Sequence, residues 1–131
     1  MNSLNITGLY LALLALLYLA LSVNIIRYRL KFQIGIGSNG NKTLAKAIRV
    51  HANFIEYTPI AMLLLACYEL SGGNEVVVHS LGALFFVGRV LHVKGLSSSI
   101  GVTKERQFGM LSSFLVIATL SVLLIFQFVT V

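Results

Sequence analysis

Residues 9–26, LYLALLALLYLALSVNII, carry no charged side chain, and their reading decides the fold. Crossing the ~30 Å hydrocarbon layer of a bilayer takes about 20 apolar residues in a helix. The uncharged stretch from Met1 to Ile26 is long enough to do so. It lacks the basic start and small-residue cleavage site of a signal peptide, so it is expected to remain as a first membrane span. The rest of the chain agrees. Of its 131 residues 57% are hydrophobic, and the mean hydropathy is +0.90. An ordinary soluble domain is about 45–50% apolar, and one of this size has too little interior to hide the excess. Lipid is the natural solvent, and a chain of this length makes one domain.

Working outward, three further apolar runs follow. One starts inside RVHANFIEY (49–57) and continues through TPIAMLLLACYEL, with Pro59 near the start of its apolar part. Another is VVVHSLGALFFVGRVLHV, and the last, from Phe108 to Val131, is uncharged. The expected architecture is all-α, an integral membrane four-helix bundle spanning residues 1–131, with helices over roughly 4–27, 44–70, 75–95 and 106–130. The connections QIGIGSNGNKT, SGGN and GLSSSIGVTKE are rich in turn-forming glycine, asparagine and serine. The first is not a phosphate loop, because Asn41 separates Gly40 from Lys42 and breaks the required ending.

The net charge of +6 does not indicate nucleic acid, since the bases form two clusters between apolar runs rather than one amphipathic face. Arg27, Arg29, Lys31, Lys42, Lys46 and Arg49 lie at the first connection; Arg89, Lys94, Lys104 and Arg106 lie at the third. The middle connection has Glu69 and Glu75 and no base. The positive-inside rule puts connections one and three in the cytoplasm and both termini outside. The lone Cys67 excludes an internal disulfide and reads as a small packing residue. His79 reads as hydrogen-bonded rather than metal-ligating, and no His/Cys/Asp cluster has metal spacing, so no metal is expected. Gly82 and Gly88 are expected to permit close helix packing.

The polar residues of the second span are the functional signal. Arg49, Asn53 and Glu56 fall at i, i+4 and i+7, on one helical face, with Tyr57 at its border. An ionisable residue at membrane depth is a functional-site hypothesis by default. Arg89, with His92 one turn on, lies at a similar level, and Arg106 heads the fourth span. A purely structural alternative is that Glu56 pairs with Arg89 or Arg49. That would leave two arginines without a counter-charge, an imbalance that an external anion resolves. Several cations, one carboxylate and an amide suit a ligand with two carboxylates and one ammonium. Glutathione has that constitution, and a nearby cation makes its thiol a nucleophile. Residue types alone do not single it out from other small zwitterionic anions.

The stretch R-V-H-A-N-F-I-E-Y-T-P followed by an apolar run resembles the second-helix signature of the MAPEG family, the membrane-associated proteins in eicosanoid and glutathione metabolism. The likeness extends through the GRVLH segment and ERQFGM, and short chains of this kind most resemble the bacterial branch. The resemblance implies a homotrimer of four-helix subunits in a bacterial inner membrane, with glutathione in cytoplasm-facing clefts between neighbours. By it, Arg49, Asn53, Glu56 and Tyr57 match glutathione-contacting positions, and His51 matches a polar contact from a neighbouring subunit. Arg89 and His92 match an Arg-x-x-His of the family, and Arg106 the arginine that stabilises the thiolate. Leu96 departs from the pattern where some members carry a tyrosine, and Arg27 or Arg29 falls where another subunit's arginine comes from.

The leading expectation is a membrane-bound glutathione transferase or peroxidase acting on lipophilic electrophiles that enter from the bilayer, with membrane lipids around it. Alternatives are a non-catalytic glutathione- or lipid-binding scaffold of the same fold and a small four-helix transporter. The transporter would need an acid in the first span, which has none.

Overall fold

The structure, a computed structural model, describes residues 4–99 and 101–130. It consists of α1 (Asn5–Phe32), α2 (Lys42–Leu70), α3 (Glu75–Ser98) and α4 (Lys104–Thr130). All four helices are long and apolar enough to cross a membrane. The expectation that both termini lie on the outer side concerns residues 1–3 and 131, which are outside the described residues.

Successive helices run antiparallel, so α2 and α4 begin at the same end of the bundle, beside the 33–41 and 99–103 connections. This is the basic end. α1 does not stop at Arg27 but carries Arg27, Arg29 and Lys31 on its last turns, then ends where Gln33 turns left-handed at φ 55. The Arg29 guanidinium donates to the carbonyls of Ile34 (3.2 Å) and Gly37 (3.1 Å), folding the first connection back over the helix end. Asn41 caps α2 by accepting from the Leu44 N–H at 2.9 Å, and Asn74 caps α3 from Val76 and Val77. Pro59 lies well inside α2, which continues through it.

Helices in lipid gain from close packing and small residues rather than from the hydrophobic effect. The α3–α4 seam shows this. A Cβ on Gly88 would collide with the Ser112 side chain, and one on Gly109 would lie 2.5 Å from both the Gly88 carbonyl and His92 Cβ. Gly82 receives the ring of Tyr10 from α1. The buried core includes Leu14, Phe54, Leu65, Val78, Phe85, Val116 and Leu120, while Leu16, Leu63, Leu115 and Val122 face outward. Cys67, read from the sequence as a small packing residue, lies on the exposed face of α2.

At the opposite end the structure adds what the sequence did not show. Glu69 lies in the last turn of α2, beside the middle connection. Its carboxylate is buried and accepts from the backbone N–H groups of Ile6 (2.9 Å) and Thr7 (2.8 Å). Leu4 offers α1 no side-chain cap, so an acid from another helix satisfies its first turn and meets its dipole. His79 is hydrogen-bonded as expected, to the Tyr10 hydroxyl at 3.2 Å. The Ser71 hydroxyl donates to Gln127 Oε1 at 2.8 Å, tying α2 to α4.

Candidate functional site

One face of α2 carries the polar groups, and the structure divides them into two layers. In the outer layer the Arg49 guanidinium donates to both carboxylate oxygens of Glu56, at 3.1 and 3.4 Å. Both side chains are about half exposed, so this pair holds two charged groups in place more than it stabilises the bundle. Glu56 therefore pairs with Arg49, not with Arg89.

The inner layer is built on Arg89, which is fully buried. Its Nη2 donates to Asn53 Oδ1 at 2.6 Å, and its Nη1 reaches Ser113 Oγ at 3.4 Å. The guanidinium lies 5.8 Å from the ring centroids of Phe54 and Tyr57, within range of a cation–π attraction. No carboxylate contacts it among the described residues, and its Nε is buried without a partner. The Asn53 amide donates to Met110 Sδ at 3.8 Å, so α2, α3 and α4 meet around one asparagine. Tyr57 is half-buried, edge-on to Phe114 at 5.8 Å. His92, one turn beyond Arg89, is buried against Gly109, and its Nδ1 lacks a partner.

Arg106 stands in the first turn of α4, where its own N–H donates to Thr103 Oγ1 at 3.2 Å. Gly95 allows the approach, because any Cβ there would meet Thr103 and the Arg106 backbone. Arg106 and Arg49 share an open groove of about 300 Å³ with Lys42, Ala45, Lys46 and Leu96. Four of its six lining residues are cationic and none is acidic. The N-termini of α2 and α4 both open at this end, adding two positive helix ends to the four side chains. An anion is the ligand such a groove favours. Arg106 also borders an adjoining groove of about 510 Å³, lined by Val102, Gln107, Met110 and Leu111. Among the described residues no group of His, Cys, Asp or Glu lies close enough to hold a metal.

The structure thus gathers Arg49, Asn53, Glu56, Tyr57, Arg89, His92 and Arg106 at the basic end. His51 lies elsewhere. Its Nε2 is 3.1 Å from Ser22 Oγ and its ring packs on Tyr18, so within one chain it faces α1. Being two residues from Arg49, it is turned about 200° around the helix, a separation readable from spacing alone. Sequence reasoning did not single out Ser113 and Met110, which hold Arg89 and Asn53, or Lys42 and Lys46. The lysines had a signal: at i−7 and i−3 from Arg49 they continue its stripe.

The model of the MAPEG family matches residues 7–126. The chain is 36% identical over 90 residues to the inner membrane protein YecN of Escherichia coli (strain K12), a match covering 69% of each chain. The same identity and coverage hold for YecN of Escherichia coli O6:H1.

Proposed function

Since the chain belongs to the MAPEG family, we propose that it is a membrane-bound, glutathione-dependent transferase or peroxidase acting on lipophilic electrophiles. The observation that carries this reading is the cation-lined groove joining Arg49 to Arg106, with Glu56 hydrogen-bonded to Arg49. Glutathione opens the Arg49–Glu56 pair: Arg49 turns its fork to a ligand carboxylate, and Glu56 becomes the counter-charge for the ligand's ammonium. Asn53, Tyr57, Arg89 and His92 form the polar wall beneath. Arg106 stabilises the thiolate. In transfer, the thiolate sulfur bonds to the electrophilic carbon, the leaving group departs with its electron pair, and the thiol proton passes to solvent. In the peroxidase version two glutathiones become one disulfide while a hydroperoxide is reduced to its alcohol and water. The gain in rate comes from thiolate formation and positioning.

YecN is named an inner membrane protein, and we assign this chain to the same membrane with its basic end in the cytoplasm. We take the assembly to be a homotrimer with the clefts between neighbours. Arg29 is occupied by its own connection, whereas Arg27 is exposed, so Arg27 is the arginine available to a neighbour's cleft. His51 would likewise serve a neighbour rather than its own chain.

Leu96 favours a second reading. It lines the groove where the family resemblance would place a tyrosine, leaving one hydrogen-bond donor fewer, as in a protein that binds glutathione without turnover. Titration with glutathione followed by ultraviolet detection of the thiolate separates the two. The enzyme reading expects the thiolate to appear at lower pH than for free glutathione, and Arg106→Ala to reverse this while affinity falls less than turnover. A wild-type complex with an unshifted thiol leaves the binding protein as the better account. Glu56→Gln should weaken glutathione binding with little loss of thermal stability; the opposite pattern would mean the Arg49–Glu56 pair is only structural.

A further inference from the structure

An asparagine side chain has two faces, a carbonyl that accepts and an amide that donates. Arginine has no acceptor, so only the Oδ1 of Asn53 can pair with the Arg89 guanidinium, at 2.6 Å. Arg89 is itself pinned. Its Nη1 donates to Ser113 Oγ at 3.4 Å, and the proton of that hydroxyl is committed to the Gly109 carbonyl at 2.8 Å. The side chain is fully buried, with the rings of Phe54 and Tyr57 beside the guanidinium. The Asn53 amide must then face the other way, toward α4. What it meets there is a sulfur: Nδ2 donates to the Met110 thioether at 3.8 Å, and a thioether is a weak acceptor. Met110 stands four residues beyond Arg106 on the same face of α4, about 6 Å along the helix. The two line one open groove. Met110 is only half-buried, and its unbranched chain can move aside.

We propose that Arg89 is a positioning residue that fixes the Asn53 amide with its N–H toward the groove, and that this N–H joins Arg106 in stabilising the glutathione thiolate. This deepens the glutathione reading and rests on it. The thiolate sulfur takes over the donor that the Met110 thioether now holds, because a charged acceptor makes the stronger hydrogen bond. The opposite amide orientation would turn the carbonyl dipole on the thiolate and repel it. Arg89 thus acts on the chemistry without touching the ligand, which suits its complete burial.

The test begins with the wild-type protein in detergent, isotopically labelled at asparagine nitrogen for magnetic resonance. The side-chain amide signal of Asn53 is identified by its absence from Asn53→Ala. Glutathione should move that signal downfield as the pH rises, in step with the ultraviolet absorbance of the thiolate. S-methylglutathione, whose sulfur is a thioether like that of Met110, should leave it nearly in place. An equal response to both ligands, or none to either while both bind, overturns the thiolate contact and leaves the glutathione site standing. Failure of both ligands to bind overturns the two together. A double-mutant cycle on the acidity of the bound thiol then separates the position of Arg89 from its charge. Arg89→Met and Asn53→Ala should each lower that acidity about tenfold, the order of one hydrogen bond to a charged group. The double variant should lower it no further than either alone, since Arg89 acts through the asparagine. A further loss in the double variant means that Arg89 acts by its charge, and the positioning role falls. Asn53→Asp gives Arg89 a stronger acceptor, so it should fold, yet it presents no N–H to the groove. It should lower the acidity at least as much as Asn53→Ala, and a thiol as acidic as in the wild type would overturn the proposal.

Discussion

Replacing Asn53 by alanine tests whether Arg89 is held as described. The asparagine accepts at 2.6 Å from a guanidinium that is fully buried and touches no carboxylate among the described residues. Its removal leaves that charge with the longer contact to Ser113, two aromatic faces and no good acceptor. A hydrogen bond to a charged group is worth about 1.5–3 kcal/mol. An interhelical hydrogen bond in a membrane protein averages only about 0.6 kcal/mol. We therefore expect Asn53→Ala to cost about 2 kcal/mol, read as equilibrium unfolding in mixed detergent micelles without glutathione. Arg89→Met removes the charge and fills much of its volume, and should be better tolerated than Asn53→Ala, because a buried cation without a partner costs more than none. The double variant completes a cycle, and the coupling between the two sites should be at least about 1.5 kcal/mol. A coupling near the average of about 0.6 kcal/mol would refute the reasoning, as would Arg89→Met proving the more damaging single change.

Three other outcomes are expected. Glu69→Ala should lower stability by about 1–2 kcal/mol, the range for a lost helix cap, and amide exchange should rise at Ile6 and Thr7; unchanged exchange there would contradict the assignment. Gly88→Val drives a branched side chain into Ser112 and should cost about 1–3 kcal/mol or more, whereas Gly8→Ala, with open space around it, should be neutral by the same assay. A cytoplasm-dependent fluorescent reporter fused after Ser38 should light up and one after Val131 should stay dark; the reverse would invert the orientation and move the groove to the wrong side of the membrane.

The architecture was legible because charge and hydropathy alternate so sharply: four apolar runs, two basic connections and a polar stripe on the second helix. Spacing gave the face of α2, but not its rotation relative to α3 and α4. That rotation makes Asn53 rather than Glu56 the partner of Arg89, and Arg49 the partner of Glu56. Two things were readable and went unread. The 200° offset of His51 separates it from Arg49 within one chain, and the stripe extends back to Lys46 and Lys42. Glu69 was beyond reach by any local rule, because its partners lie 63 and 62 residues away. A carboxylate in the last turn of an apolar helix looks merely solvated until the neighbouring helix end is seen.

That distance also sets a clock. At about 5–20 residues per second of synthesis, the 62 residues between Thr7 and Glu69 take roughly 3–12 s to emerge. During that interval α1 has made its apolar turns but its foremost amides have only water or lipid headgroups to answer them. The first helix can settle fully only as one arm of a hairpin, when the far end of α2 arrives beside it. A ribosome stalled between residues 32 and 69 should therefore display an α1 whose beginning is still frayed, and release of the stall should zip it shut.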